Sequence, residues 1–375
     1  MRRALLGPTH PQVAESLKNI AVLLHFRGKL DDAEKLYREA LAILRAHGPR
    51  DAAVAQVIRH LGMLDLQRSE PKLAVSALQE ALEIQQQEMP KDHPEIAATL
   101  NSLGMAWQNV GDLAKAEEFY RQALEMRVRV LGPDHAHTAL TRGNLGGLLY
   151  EQRKYEKAEP IFRETLEVKR RKLGKDHPTV ATSMTNLAVL LSTIGKWDEA
   201  EPFYREALEI RLKAYGEEHV SVAISRYYLA RLLAQRGEAK EAEALMRTAL
   251  PRLTMKDPNR AALCVELGEL LMSQKRLPEA GTLIQEGLDL SAALHGPDHW
   301  RTEGARSARG AWHLARGEYD RAGEDLHKAW EVLSRQPADD VRRRKNLERL
   351  AALADALGNS AEAARHRALL AEKAP

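Results

Sequence analysis

Apolar residues recur along most of the chain at positions i, i+3, i+4 and i+7, which is the spacing of one face of an α-helix. Around the middle of the chain a first stripe consists of Met184, Leu187, Ala188 and Leu191. After a turn at Gly195-Lys196, a second stripe consists of Ala200, Phe203, Tyr204, Ala207 and Leu208. The pattern predicts two amphipathic helices joined by a short turn.

This helix pair is repeated along the sequence. The segment Asp31–Leu41 returns as closely similar segments that begin at Ala116 and Ala200. Anchoring each copy on the first alanine of this segment gives nine copies, at Ala33, Ala74, Ala116, Ala158, Ala200, Ala242, Ala280, Ala322 and Ala361. Successive spacings of 41, 42, 42, 42, 42, 38, 42 and 39 residues predict a solenoid of stacked helix pairs, here called helix A and helix B.

Small residues mark where the two helices of a pair should cross. A small residue stands twelve positions before each of the first eight anchors, and Ala351 is its counterpart in copy nine: Ala21, Gly62, Gly104, Gly146, Ala188, Ala230, Gly268, Gly310 and Ala351. Seven residues after the anchor the residue is again Ala, Gly or Thr. Helix axes approach closely only where side chains are small, so we expect helix A to pack on helix B at these positions.

The connections between copies contain a repeated histidine. The segment Leu6–Pro11 recurs at 131–135, 173–178 and 295–299, with Gly ending one helix and Pro often beginning the next. The connection histidines are His10, His93, His135, His177, His219 and His299. Because they are spread along the array, we predict a structural role such as helix capping and no metal site.

The combined pattern resembles tetratricopeptide repeats of the 42-residue, kinesin-light-chain type. Matching stretches are Leu17–Ala21, Leu100–Gly104 and Thr185–Ala188, together with the repeated A-E-x-x-Y-x-x-A-L segment. The resemblance implies an all-α fold, a right-handed α-solenoid (superhelix) of about nine TPR-like helix pairs, with the A helices lining a concave groove. The N-terminal heptad segment of kinesin light chains has no counterpart in this sequence, so a motor subunit is not implied.

We expect a single array with the following boundaries. Residues 1–7 match the tail of a preceding helix B, and the copies span 8–48, 49–90, 91–132, 133–174, 175–216, 217–256, 257–295, 296–337 and 338–375, the last including a C-terminal cap. The repeat weakens towards the end, where Arg309 and Trp330 replace leucines or isoleucines of the earlier copies. Terminal copies are expected to be atypical because one face meets solvent.

In this family the groove is lined by fixed helix A positions, which lie 18, 15, 14, 11, 8 and 7 residues before each anchor. In copies three to five only Glu151 among these residues is charged. A Lys/Arg clamp for a carboxylate would need basic residues at the first and third positions, and copies one to six have none there. Uncharged Asn, Gln, Ser and Thr side chains both donate and accept hydrogen bonds, which suits a peptide main chain.

We therefore expect an asparagine ladder of Asn19, Asn101, Asn144 and Asn186 to grip an extended partner, with Gln108 and Tyr150 beside it. The alternative is that these asparagines bond within the array. In copy six, Tyr227, Tyr228 and Arg231 occupy groove positions and could form a pocket for an apolar or aromatic partner side chain, although one tyrosine could instead pack on the next copy.

Composition narrows the functional classes. The charged fraction is 29% and the net charge only +3, so there is no general footprint for nucleic acid. The single cysteine, Cys264, excludes an internal disulfide and falls on an apolar stripe. The basic run Arg342–Lys345 is more typical of a solvated helix face than of a nucleic-acid site. We found no membrane segment, secretion signal or catalytic motif, which predicts a soluble cytoplasmic protein without cofactors or enzymatic activity.

The predicted function is a scaffold or adaptor that binds an extended peptide or short helix of a partner protein in the concave groove. The alternative is a regulatory or sensor module of a larger multidomain protein, controlling an attached or associated effector domain. We expect a monomer that uses neither nucleic acid nor membrane as its partner.

Overall fold

The computed structural model describes residues 2–48 and 50–371. Within this part of the chain the structure contains nineteen α-helices and one short 3-10 helix, and no strand. Met1, Pro49 and residues 372–375, which belong to the predicted tail, copy two and copy nine, lie outside the described residues. The all-α class is therefore confirmed for the described chain.

The chain divides into two compact units, one ending at Gly195 and the other beginning at Lys196. The first unit contains α1 (Arg2–Leu6), α2 (Pro11–Phe26), α3 (Leu30–His47), α4 (Ala52–Gln67), α5 (Pro71–Glu88), α6 (Pro94–Val110), α7 (Leu113–Leu131), α8 (Ala136–Glu151), α9 (Tyr155–Leu173) and α10 (Pro178–Thr193). Even-numbered helices are the A helices of the repeat, and odd-numbered helices from α3 onwards are the B helices.

The second unit begins with a B helix and continues the same alternation. It contains α11 (Trp197–Tyr215), α12 (Val220–Gln235), α13 (Ala239–Ala249), a 3-10 turn (Leu250–Arg252), α14 (Pro258–Ser273), α15 (Leu277–His295), α16 (Trp300–Ala315), α17 (Tyr319–Leu333), α18 (Val341–Ala356) and α19 (Ser360–Ala371).

The predicted small-residue crossings are present. A Cβ added to Gly104 would lie 2.6 Å from the Tyr120 ring, and one added to Gly62 would lie 2.9 Å from Leu78 Cγ. A real Cβ does not approach another carbon this closely, so helices A and B meet at these glycines with no room for a side chain. Glycine has a lower helix propensity than alanine, but at these positions it allows helix A and helix B to pack closely.

The connection histidines cap the A helices. Nδ1 of all six accepts a hydrogen bond of 3.1–3.2 Å from the backbone N–H two residues later. Asp51, Asp257 and Asp340 do the same in the copies that lack the histidine. The capping role is confirmed, and the described residues contain no cluster of three or more possible metal ligands.

The register of copy nine differs from the prediction. The sequence analysis placed its anchor at Ala361, but Ala361 is exposed, and Ala363 is the fully buried residue at the anchor position of α19. With the anchor at Ala363, the small residue twelve positions earlier is Ala351, and the spacing from Ala322 is 41 residues. The prediction was wrong because the Ala-rich sequence at 361–364 offers several alanines, and only their burial distinguishes them.

Two unusual side chains are explained by their surroundings. Arg309, which replaces an aliphatic residue in copy eight, donates to Asp325 through Nε at 2.7 Å and Nη2 at 2.6 Å. Asp325 is only 6% exposed, so this is a compensated pair inside the copy and does not reflect loss of packing at a terminus. Cys264 is fully buried as expected, and burial raises the pKa of its thiol to about 12.

Candidate peptide-binding groove

The A helices form the inner layer of each unit. Within a unit, consecutive A helices contact one another, whereas among the described residues no two B helices do. When two layers of helices curve together, the layer whose members touch lies on the inside of the curve. The groove expected for each unit is therefore lined by A helices.

Three hydrogen bonds join the neighbouring A helices α6, α8 and α10 at groove positions. Asn144 Nδ2 donates to Asn101 Oδ1 at 3.1 Å, and Gln108 Nε2 donates to Glu151 Oε2 at 2.6 Å. Tyr150 and Thr193 share a bond of 2.9 Å between their hydroxyl oxygens. In each pair the residues are 43 positions apart, which is one repeat period plus one residue.

The four asparagines of the predicted ladder therefore differ in exposure and in hydrogen bonding. Asn101 is only 6% exposed, and its Oδ1 also accepts from Thr141 Oγ1 at 3.0 Å. Asn144 is half-buried beside it, whereas Asn19 and Asn186 are exposed. The structure thus brings Asn101 and Asn144 together and leaves Asn19 and Asn186 facing solvent.

The exposure of Asn186 has a simple cause in the sequence. The residue 43 positions before it is Gly143, which stands where copy three has Asn101. Glycine has no side chain to bond, so Asn186 has no counterpart of the Asn101–Asn144 bond. The residue 43 positions earlier, one period plus one residue, is Asn101 for Asn144 and Gly143 for Asn186. This difference in the sequence distinguishes the bonded asparagine from the exposed one.

Gln108 is held from both sides. Its Nε2 donates to Glu151, and its Oε1 accepts from the Tyr120 hydroxyl at 3.0 Å. The Tyr150 ring lies 5.5 Å from the Tyr155 ring, in addition to its bond with Thr193. Both side chains are half-buried and fixed in position, so they form a structured wall of the groove.

In the second unit the expected aromatic pocket of copy six is largely filled by its own residues. Tyr227 is 2% exposed, while Tyr228 is half-buried and stacks on Tyr204 with 6.2 Å between ring centroids. Arg231 lies over the Tyr227 ring and forms an ion pair of 3.1 Å with Glu266. Burial, and then the charge of Glu266, raise the pKa of Tyr227 well above its usual value. Of the three residues, Tyr228 and Arg231 are those that a partner could reach.

Charged residues that the sequence prediction did not consider occupy groove positions in copies seven and nine. They are Glu266, Glu269, Lys345, Glu348, Arg349 and Asp355. With the anchor at Ala363, Lys345 and Arg349 lie 18 and 14 residues before it. These are the first and third groove positions, which had been inspected only in copies one to six.

The basic run Arg342–Lys345 has partners within the second unit. Arg342 stacks over Trp300 at 4.1 Å, and Arg343 donates to the carbonyl of Gln336 at 2.7 Å. Arg344 donates to the carbonyl of Leu370 at 3.1 Å, and Lys345 bonds Glu269 at 2.6 Å. These contacts favour the structural interpretation of the run over a nucleic-acid site.

The comparison with family models decides the classification. A model described as tetratricopeptide repeat matches residues 1–46, 95–171, 144–213 and 193–254, and a second with the same description matches 260–301. The chain belongs to the tetratricopeptide repeat family. The resemblance inferred from the repeated segment is therefore confirmed. A separate comparison with curated proteins found no match.

Three solved structures share this helical fold. BtubC (BKLC) from P. vanneervenii is 26% identical, with a TM-score of 0.52 over 60% of this chain and 90% of that chain. The apo form of the quorum sensor NprR from B. thuringiensis is 14% identical, with a TM-score of 0.66 over 95% and 97%. A Rap protein complexed with competence and sporulation factor is 16% identical, with a TM-score of 0.67 over 96% and 97%.

These findings establish a helical solenoid of tetratricopeptide repeats. Members of this repeat family are generally non-enzymatic scaffolds. None of the helices among the described residues combines the length and hydropathy needed to cross a bilayer.

Proposed function

We propose that this tetratricopeptide repeat protein is a non-enzymatic scaffold that binds an extended peptide or a short helix of a partner protein along its A helices. The observation that carries the proposal is the exposed, uncharged Asn186 on the groove face of α10, next to a row in which Asn101 and Asn144 are already bonded. A primary amide that is exposed in the groove has both a donor and an acceptor to offer a peptide backbone.

The fixed groove wall supports this assignment. The Gln108–Glu151 and Tyr150–Thr193 bonds hold neighbouring A helices in register, so the exposed amides stand on a pre-organised surface. Pre-organisation reduces the entropy lost on binding. A partner segment still loses conformational freedom when it docks, so we expect an affinity on the order of micromolar.

The test is affinity capture with the intact chain and with an Asn19→Ala/Asn186→Ala variant, read by mass spectrometry. Both asparagines are exposed, so the substitution should leave the unfolding midpoint unchanged. The matched control is Lys35→Ala/Lys157→Ala, which changes two exposed residues on B helices. A protein that the intact chain and the control retain, and the asparagine variant loses, supports the proposal. Identical partner lists from all three would contradict a role of these asparagines.

The second candidate is a regulatory or sensor module acting on an effector domain. It is favoured by the similarity of fold over 95% of the chain to the quorum sensor NprR. A sensor must change conformation when its ligand binds. Small-angle scattering with and without the captured partner distinguishes the two functions, since a scaffold retains its scattering profile apart from the added mass and a sensor does not.

A further inference from the structure

The junction where helix B of copy two meets helix A of copy three lacks a polar contact that other junctions make. In copies one and three to six the residue after the anchor is a glutamate, which in several copies bonds the residue six positions before the next anchor. These pairs are Glu34–Arg68 at 2.5 Å, Glu201–Arg236 at 2.5 Å and Glu243–Gln274 at 3.1 Å. At the junction of copies two and three the corresponding residues are Val75 and Val110.

The two valines leave a recess of about 330 Å³ at this junction. Arginine and glutamine reach across the other junctions, whereas valine is too short to do so. The recess is lined by Lys72, Val75, Ser76 and Gln79 of α5 and by Trp107 and Val110 of α6. Its volume is near the lower end of the ~300–1,000 Å³ range of ligand pockets, so it suits a single large side chain. None of the six lining residues occupies a groove position, so the recess is separate from the groove.

Two further substitutions make this region more apolar than its counterparts. Trp107 stands where copies one and four to seven have leucine, and its indole N–H is buried without a hydrogen-bond partner among the described residues. Leu73, three residues before Ser76 on α5, is 59% exposed, whereas every other copy, with copy nine anchored at Ala363, has a charged residue at this position. Packing inside the copy does not explain either residue. An apolar surface of this kind is typical of an interaction site.

The recess has one uncompensated charge, which is positive. Lys72 is the only charged residue of the lining, and it is exposed and forms no ion pair with any described residue. The ammonium of Lys115 lies 4.0 Å from the centre of the Trp107 ring, but Asp112 compensates it at 3.2 Å. An unpaired cation beside an apolar surface favours an occupant with a negative charge and disfavours one with a positive charge.

We propose that the recess is a second docking site, for a segment of a partner protein that inserts one leucine, methionine or aromatic side chain and carries an Asp or Glu within two residues of it. The inserted side chain contacts Val75, Val110 and Trp107, and the carboxylate pairs with Lys72. This site is independent of the proposed function, because it shares no residue with the groove.

The recess can be filled with a contact that the repeat already uses. Val75→Glu/Val110→Arg recreates the pair that Glu34 and Arg68 form one copy earlier, so we expect this filled variant to retain its fold. Lys72→Glu reverses the charge at an exposed position and leaves the packing of the recess unchanged. The two variants therefore test the apolar and the electrostatic parts of the proposal separately.

The matched control makes a similar change at another junction. Ile194 lies six residues before the anchor of copy five, and Glu159 follows the anchor of copy four. Ile194→Arg thus introduces an arginine at the position of Arg68 without altering the recess. We expect it to bind the probe as the intact chain does.

The probe is a nine-residue Gly/Ser peptide with blocked ends and a central Asp-Phe-Asp. Two further peptides carry Lys-Phe-Lys or Asp-Ser-Asp at the centre. Binding is measured by nuclear magnetic resonance from the indole N–H signal of Trp107, which the variant Trp107→Leu assigns among the signals of the five tryptophans. This signal reports on the recess even when binding is weak.

We expect the Asp-Phe-Asp peptide to bind the intact chain at least about tenfold more tightly than either other peptide does, and to bind the filled variant about tenfold more weakly. In Lys72→Glu the preference should change from the Asp-Phe-Asp to the Lys-Phe-Lys peptide. Absence of a shift in the intact chain, equal binding of the three peptides, or equal binding by the intact chain and the filled variant would overturn the proposal.

The charge reversal decides the question even if circular dichroism shows that the filled variant does not fold. An unchanged preference of Lys72→Glu for the Asp-Phe-Asp peptide would then overturn the proposal, and a reversed preference would support it. The capture experiment with Asn19→Ala/Asn186→Ala tests the groove function separately, so either function can fail without the other.

Discussion

Asn144 donates a hydrogen bond of 3.1 Å to the buried side-chain oxygen of Asn101 and so joins α8 to α6. The equivalent asparagine one copy later, Asn186, is exposed. Two residues that occupy the same place in the repeat thus have different physical roles. One stabilises the stack, and the other is available to a partner.

This difference predicts a split in stability. Asn144→Ala removes a hydrogen bond to a buried acceptor and should lower the free energy of unfolding by about 0.5–1.5 kcal/mol. Asn186→Ala removes an exposed side chain and should change it by less than about 0.5 kcal/mol. Urea unfolding followed by circular dichroism measures both. Equal effects of the two substitutions would contradict the assignment.

The glycine that leaves Asn186 unpaired gives a gain-of-contact prediction. Gly143→Asn places a carboxamide 43 residues before Asn186, as in the Asn101–Asn144 pair, and only Thr165 Cγ2 lies near its Cβ, at 3.7 Å. We expect the new bond to occupy Asn186, to raise the unfolding midpoint and to weaken capture of the partner. Gly143→Ala is the control, since it adds the Cβ without the amide. Partner capture that is the same in Gly143→Asn and Gly143→Ala would argue against Asn186 as a contact.

The Arg309–Asp325 pair predicts strong coupling. Arg309→Leu leaves the carboxylate of Asp325 buried without its cation and should destabilise the second unit by about 3–5 kcal/mol. Arg309→Leu/Asp325→Leu restores the apolar pairing typical of the other copies and should recover most of that loss. A double-mutant cycle on the unfolding free energy measures the coupling. Additive effects of Arg309→Leu and Asp325→Leu would show that the pair does not act as a unit.

Stability of the first unit should depend on pH through His60. Its ring stacks on the buried Tyr37 with 5.5 Å between centroids, and burial lowers its pKa to about 3, with Arg59 adding to the effect. The usual pKa of about 6.5 applies in the unfolded chain, so between these values the unfolded chain binds a proton that the folded chain excludes. The contribution is complete above about pH 6.5 and is lost as the pH falls towards 3, by at most about 1.4 kcal/mol per pH unit.

The measurement is the unfolding midpoint between pH 7 and pH 4 for the intact chain and for His60→Phe, which keeps an aromatic ring but does not titrate. We expect a smaller fall in the variant. The same fall in both proteins would assign the pH dependence to other groups.

The sequence predicted the features that depend on the period of the repeat. The crossings at Gly62 and Gly104, the capping by the connection histidines and the burial of Cys264 each follow from local pattern and are confirmed. The apolar stripes, the small crossing residues and the helix caps recur from copy to copy, so a pattern found in one copy predicts the others.

The features that were missed depend on contacts between copies. Whether Asn144 or Asn186 is bonded depends on a residue 43 positions away, and the partners of Lys345 and Arg349 lie two copies back. Lys345 and Arg349 fall on groove positions only in the corrected register of copy nine. Helix periodicity describes one copy, whereas the chemistry of the groove is set by side chains from several.

In the proposed function, a partner lies against the A helices. The most direct test places the photo-crosslinker p-benzoylphenylalanine at position 186 on α10 and, separately, at position 157, an exposed site on the B helix α9. We predict that the captured partner crosslinks from position 186 and not from position 157. Crosslinking from position 157 alone would place the partner on the B helices and contradict the account.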